Sequence, residues 1–227
     1  MKLEPLTDDT RRGQIVRRLR ELIVSGQVSA GERLTESELS LQLGASRGPL
    51  REAIRELVSS GLLVSIPYKG LFVRSVSRKD LEELYSLRTA LEQLAFRHCW
   101  ERRTPAALED LRWRNENLVA AVDAGTEPHK AIELELILHS WCYELSEHDL
   151  LNQAWQRILP NLQFYFMLHQ RAHQRPGPFR DAHEAYVEYA CGDNLDLMLE
   201  HLQYHMRQGL ERTLSFIDSI EEYEHIT

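Results

Sequence analysis

The sequence predicts a mainly α-helical protein in which a winged helix-turn-helix is followed by an all-α helical bundle. Apolar residues recur at helical spacing along most of the 227-residue chain, and two β-prone runs lie close together at residues 62–67 and 71–76. A composition of 43% hydrophobic and 27% charged residues is typical of a chain that folds around a buried core. We therefore expect two domains, at residues 1–77 and 78–220, followed by a polar tail at 221–227.

The N-terminal part contains three predicted helices and a hairpin. The first helix covers residues 14–25, and residues 29–34 are predicted to form a turn. The second helix begins after Thr35, which lies three residues before a glutamate as in a capping box, and it ends at Gly44. A third helix follows at residues 46–61, with a serine at its N-cap and a proline in its first turn. The two β-prone runs then form a hairpin, which completes a winged helix-turn-helix.

Six amphipathic helices are predicted after residue 77, and no strand signals occur there. The segments between them contain Pro, Gly, Ser or Asp, which favour helix ends and turns. This pattern predicts an all-α bundle. The predicted helices cover residues 80–103, 105–124, 128–145, 150–174, 181–191 and 194–220.

The two parts differ in charge although the whole chain is acidic. Residues 1–77 contain 12 Lys and Arg against 9 Asp and Glu, a net charge of +3, within a total formal charge of −8. An acidic protein is a poor candidate for generic nucleic-acid binding, but a local basic module can still bind phosphates. The charge balance therefore indicates two domains with different partners.

The sequence also indicates a cytoplasmic protein that does not enter a membrane. Cys99, Cys142 and Cys191 are scattered and form no CxxC pair, which fits a reducing compartment. No apolar run reaches the ~18 residues of a membrane span, and the N-terminal residues contain no apolar signal-peptide core.

Three arginines on the third predicted helix form a candidate DNA-reading face. Positions 47, 51 and 55 are spaced by four, so their side chains share the face opposite the apolar one. In the second helix of a helix-turn-helix such arginines can bind guanine or phosphate, and a serine at the helix N-terminus can bind phosphate. The alternative is a solvated face on which the arginines pair with neighbouring glutamates. Together with two residues at the wing tip, the candidate DNA-contacting set is Ser46, Arg47, Arg51, Arg55, Lys69 and Gly70.

Histidines in the C-terminal part form a candidate metal site. Glu135 and His139 lie four apart on one helix, and His183 and His205 lie on the last two helices, which a Gly-Asp pair between them allows to run antiparallel. Three imidazoles and a carboxylate suit Zn²⁺, Ni²⁺ or a similar divalent ion. Competing interpretations are solvated histidines and two further pairs at the same spacing, His169/His173 and His201/His205.

Residues 23–73 resemble the N-terminal domain of GntR-family bacterial transcription regulators over some fifty consecutive positions, and residues 77–218 resemble the helical effector-binding domain of its FadR-like members. The second resemblance is carried by the segments ELYSLRTALEQLA, ELILHSWCYELSEHDLL and HEAYVEYACGDNLDLMLEHLQYHM. The first resemblance, of residues 23–73, implies a dimeric, operator-binding regulator with Ser46, Arg47, Arg51 and Gly70 at DNA-contacting positions.

The resemblance of residues 77–218 implies which ligands the helical domain binds. In metal-binding members an Asp and three His ligate the ion, and the matching residues here are Glu135, His139, His183 and His205, with Glu in place of Asp. Small carboxylate effectors bind near the metal in that family, and a first-helix arginine lies by the pocket. Arg88 occupies that position; the alternative is an intrahelical pair between Arg88 and Glu92 at i, i+4.

These observations predict a DNA-binding transcriptional regulator that acts as a homodimer on a pseudo-palindromic operator. Its operator affinity is expected to depend on a small organic acid bound in the metal-containing helical domain, with repression the commoner family behaviour. One alternative is a metal-free regulator of a fatty-acyl or other apolar ligand. A metal-dependent hydrolase is a remote alternative, because the sequence offers no convincing general base, nucleophile or Gly-rich phosphate loop.

Overall fold

Three helices and a small sheet form the described part of the N-terminal unit, Met1–Ser75, one of two units into which the chain divides. The computed structural model describes residues 11–24, 26–75, 77–172, 178 and 181–224. In chain order the elements of this unit are α1 (Arg11–Val24), β1 (Arg33–Leu34), α2 (Glu36–Leu43), α3 (Arg47–Ser59), β2 (Leu63–Ile66) and β3 (Gly70–Val73).

The winged helix-turn-helix that the sequence predicts is confirmed. Thr35 caps α2 by accepting a hydrogen bond from the Glu38 backbone N–H at 3.2 Å, and Gly44 ends the helix in the left-handed conformation with φ 56°. Helix α3 packs on the unit through one apolar face. The β2–β3 hairpin forms the wing.

The predicted turn at residues 29–34 is wrong in its last two positions, because Arg33 and Leu34 form strand β1. This strand pairs antiparallel with β3, so the sheet order is β1-β3-β2. Leu34 is only 8% exposed, and burying it against the sheet favours the extended conformation. The pairing partners, Phe72 and Leu71, lie far away in the sequence.

Six α-helices form the described part of the second unit, Val76–Thr227, as predicted. Aromatic side chains fill much of its core; for example, the rings of Tyr143 and Trp155 stack at 4.5 Å. No helix in the described ranges combines the length and apolarity needed to cross a membrane. The helices are α4 (Arg78–Cys99), α5 (Pro105–Asp123), α6 (Pro128–Leu145), α7 (Asp149–Ala172), α8 (Glu184–Cys191) and α9 (Leu195–Glu224).

The predicted helix ends differ from the structure at several places. Helix α4 starts at Arg78 because Ser77 and Asp80 form a capping box, and it tightens into a 3-10 turn at Trp100–Arg102. Helix α9 continues to Glu224, four residues beyond the predicted end of this helix at 220. The rest of the tail, residues 225–227, lies outside the described residues, as do 173–174 at the end of the fourth predicted helix of the bundle.

Candidate functional site

Helix α3 carries arginines on one face and its buried residues on the other. Arg47, Arg51 and Arg55 are exposed, whereas the opposite face buries Leu50, Ala53, Ile54 and Leu57. Ser46 precedes the helix with φ −72° and ψ 155°, and its hydroxyl makes no capping hydrogen bond. Both the hydroxyl and the first backbone N–H groups of α3 can therefore bind a phosphate.

Arg51 forms an ion pair, but with a glutamate that the sequence pattern did not indicate. Its Nε donates to Glu36 Oε2 at 2.8 Å, across the turn between α2 and α3. The two side chains are 56% and 44% exposed. A pair this exposed contributes at most about 1 kcal/mol, so Arg51 can exchange Glu36 for a DNA group at low cost.

The wing tip contains two exposed residues and a glycine whose conformation restricts substitution. Tyr68 and Lys69 are exposed, and Gly70 follows with φ +119°. A Cβ atom on Gly70 would lie 3.2 Å from Nε of Arg33, which packs over it from β1. Arg33 thus adds a cation at the base of the wing. The local sequence pattern does not indicate this position for Arg33, because the strand that pairs with β1 is distant in the chain.

Three predicted ligands converge in the second unit. His139 lies on α6, His183 directly precedes α8 and His205 lies on α9, and one nitrogen from each lies within 4.8 Å of the other two. His139 Nε2 and His183 Nε2 are 3.2 Å apart. Two nitrogens bound tetrahedrally at ~2.0–2.1 Å would be about 3.3 Å apart, so this spacing suits one ion.

The electrostatic surroundings keep these histidines in the form that binds metals. Burial lowers the pKa of His139, His183 and His205 well below its usual value, and the nearby Arg88 guanidinium lowers it further. The imidazoles are therefore neutral at physiological pH. Neutral imidazole is the ligating species, so the donor set fits a borderline divalent ion such as Zn²⁺ or Ni²⁺.

Glu92 contacts Nδ1 of His139, the ring nitrogen other than the one that lies near His183, a contact that the sequence pattern did not indicate. His139 Nδ1 lies 2.7 Å from Glu92 Oε1, and the Tyr186 hydroxyl donates to the same oxygen at 2.9 Å. Burial raises the pKa of Glu92, while the Arg88 guanidinium and the Tyr186 hydrogen bond oppose that rise. As an acceptor Glu92 places the His139 proton on Nδ1, which leaves Nε2 free to ligate.

Glu135 lies beside the histidines without joining their close group. Its Oε1 is 3.7 Å from His183 Nε2, and burial raises the pKa of its carboxyl to about 7 against the effect of Arg88. Among the competing histidines, the His201 ring is 6.2 Å from that of His205 and stacks on Tyr189 instead. His173 and the side chain of His169 lie outside the described structure.

A cavity of about 500 Å³ is lined by His183 and His205, two of the three histidines. Arg88 lines it, and Arg88 Nε also pairs with Glu92 Oε2 at 3.4 Å, so the predicted intrahelical pair forms. Arg88 Nη2 is buried and has no hydrogen-bond partner within the described residues. A buried donor of this kind needs an acceptor, which an anionic ligand in the cavity can supply. Other lining residues are Tyr85, Phe166, Gln170, Tyr204, Met206 and Thr213.

Comparison with known proteins places both units in one family. Residues 11–73 match the model of the bacterial regulatory proteins of the gntR family, and residues 83–208 match the FCD domain. The chain is 26% identical to the uncharacterized HTH-type transcriptional regulator YdhC of Bacillus subtilis (strain 168), over 92% of this chain and 93% of that protein. It is 23% identical to the gluconate operon transcriptional repressor of Bacillus licheniformis, over 81% of this chain and 77% of that one.

A solved structure shows the same fold. Escherichia coli McbR/YncC superposes with a TM-score of 0.70 at 23% identity, covering 91% of this chain and 98% of that chain. The GntR family model and the relatives matched over most of their length are those of transcription regulators and not of enzymes. The chain belongs to the GntR family of DNA-binding transcriptional regulators, with an FCD domain as its helical C-terminal part.

Proposed function

We propose that this regulator is a repressor whose affinity for a two-fold-symmetric operator is controlled by a metal and a small organic acid in the helical unit. It acts as a homodimer in the cytoplasm. The observation that carries the proposal is the convergence of three histidines, two of which line a cavity together with Arg88, whose buried Nη2 has no hydrogen-bond partner among described residues.

His139, His183 and His205 are proposed to hold the ion, with Glu135 near enough to join after a small movement. The ion would supply positive charge and open coordination positions for an anionic ligand. Arg88 would bind the carboxylate of that ligand through Nη2 while Glu92 holds its Nε. The aromatic and Met206 side chains in the cavity wall would pack on the carbon skeleton of the acid.

On the DNA side, α3 is proposed to read the major groove through Arg47, Arg51 and Arg55, with Ser46 on a phosphate. Lys69 at the wing tip would add a backbone or minor-groove contact, which the missing side chain at Gly70 permits. Relatives named as repressors, such as the gluconate operon repressor, support repression as the output.

The proposal is tested by measuring operator binding with and without ligands. An operator is first selected from random duplex DNA, and its affinity is measured by fluorescence anisotropy for metal-free and zinc-loaded protein. Acetate, malate, citrate and gluconate are then added. We expect one acid to change operator affinity at least about fivefold, the lower end of common allosteric couplings, in the zinc-loaded protein.

Two variants sharpen the test. Arg88→Lys keeps the charge but loses the two-pronged guanidinium, so it should bind operator and zinc normally while its response to the acid weakens about tenfold or more. His129→Ala removes an exposed histidine and should behave as wild type. If none of the acids changes operator affinity, the effector assignment is refuted. A response to fatty acids in metal-free protein supports the apolar-ligand alternative instead.

A further inference from the structure

One face of helix α4 is exposed along its length, although the rest of the helix is covered. Helix α4 packs against α6, α7 and α9, and it buries Arg88 and Glu92 on that side. On the outer side Leu87 and Leu94 are 48% and 40% exposed, and Ala90 between them is also exposed. Two large, exposed apolar side chains at this spacing on one helix face are more typical of a surface that contacts another protein chain than of one that faces only solvent.

The exposed face has a regular spacing and a symmetric charge pattern. We call it the α4 stripe, defined by Glu83, Leu87, Ala90, Leu94 and Arg97, all of which are exposed. Steps of four and three residues keep its members on one side of the helix. One leucine lies three residues before Ala90 and another lies four residues after it. A charged residue lies seven residues away from Ala90 on each side. The charge is acidic toward the N-terminus and basic toward the C-terminus.

We propose that two copies of this chain dock through their α4 stripes, antiparallel, with the two-fold axis near Ala90. The proposal rests on the homodimer of the proposed function and adds the surface that forms it. In this arrangement Glu83 lies opposite Arg97 of the second copy at both ends of the contact. Leu87 packs against Leu94 of the second copy, and the small Ala90 side chain allows the helix axes to approach closely.

Charge decides the orientation of the two helices. In a parallel pair Glu83 would face Glu83 and Arg97 would face Arg97, and like charges across an interface are unfavourable. The antiparallel pair also brings Lys79 toward Glu101 of the second copy, because both are exposed and lie eleven residues from Ala90. Within the chain, Lys79 Nζ is 3.5 Å from Glu83 Oε1, but these side chains are 82% and 67% exposed, so the pair can rearrange at low cost.

A charge-swap experiment tests the stripe. Glu83→Arg, Arg97→Glu and the double variant are compared with wild type by sedimentation velocity over micromolar concentrations, where the dimer has twice the 26.5 kDa chain mass. Each single variant places like charges at both ends of the contact and should raise the dimer Kd about tenfold or more. The double variant restores opposite charges and should return the Kd to within about threefold of wild type.

Glu109→Arg is the matched control, since it reverses an exposed acidic residue on α5, away from the stripe. Rescue in the double variant excludes misfolding as the cause of the single-variant effects. A wild-type dimer that neither single variant weakens overturns the stripe but leaves the proposed regulator intact with another interface. A wild-type protein that stays monomeric, zinc-loaded or metal-free, overturns both the stripe and the proposed homodimer.

Discussion

Replacing Glu92 with glutamine disturbs the network behind the candidate metal ligands. The Glu92 side chain is fully buried; its Oε1 is 2.7 Å from His139 Nδ1 and 2.9 Å from the Tyr186 hydroxyl, and its Oε2 is 3.4 Å from Arg88 Nε. Glutamine offers one accepting oxygen and one donating amide. If the amide faces Arg88, the ion pair is lost. If it faces His139, the imidazole proton moves to Nε2 and blocks ligation.

The second orientation weakens metal binding, and the first destabilises the fold. Loss of a partner that orients a ligating histidine costs about 10- to 100-fold in metal affinity. Removing one member of a buried ion pair costs about 3–5 kcal/mol, or roughly 6–20 °C in Tm at ~2–4 °C per kcal/mol for a chain of this size. Zinc affinity is measured by competition with a chelating dye, and Tm by circular dichroism on metal-free protein.

A matched substitution separates this network from an ordinary ion pair. Glu144 binds Arg114 at 2.6 Å but is 51% exposed, so Glu144→Gln should change the free energy of unfolding by no more than about 1 kcal/mol and leave zinc affinity unchanged. Wild-type zinc affinity in Glu92→Gln, together with a wild-type Tm, would refute the reasoning.

Four further predictions concern DNA and metal binding. Arg47→Ala should weaken operator binding by about 1–3 kcal/mol in anisotropy titrations; an unchanged Kd contradicts the assigned reading face. Glu36→Gln removes the carboxylate that pairs with Arg51 and should strengthen non-specific DNA binding at low salt, whereas weaker binding there would count against this. Gly70→Ala strains a residue with φ +119° and crowds Arg33, so it should lower Tm by the equivalent of about 1–3 kcal/mol and weaken operator binding; wild-type values for both would be inconsistent with this geometry. Chelating zinc from loaded protein should lower Tm, and adding zinc back should restore it; no shift contradicts metal binding by the folded state.

The local pattern of the sequence was sufficient for the reading helix and the wing. Residues spaced by four on α3 predicted its two faces, and Thr35 and Gly44 marked the ends of α2 through side-chain and backbone preferences that act within a few residues. Strand β1 was missed because Arg33 and Leu34 become extended by pairing with β3, a contact between distant segments. The ion pair between Glu36 and Arg51 was missed for the same reason.

The candidate metal site was predictable only in part. The spacing of Glu135 and His139, helped by the family resemblance, identified histidines that the fold brings together. Sequence spacing predicted only the contact between Glu92 and Arg88, which is present in the structure. The contact between Glu92 and His139 depends on how α4 packs on α6. Likewise, no pattern in the sequence indicates that Arg88 has a second nitrogen buried without a hydrogen-bond partner in the described structure.

Metal analysis tests the central claim most directly, namely that His139, His183 and His205 hold an ion. Purified, untagged protein is incubated with zinc or nickel, desalted and analysed by elemental mass spectrometry beside His183→Ala/His205→Ala and the control His129→Ala. We expect about one metal per chain in wild type and control, as for a single three-histidine site, and none in the double variant. Metal-free wild-type protein after both incubations, or equal metal in the double variant, would contradict it.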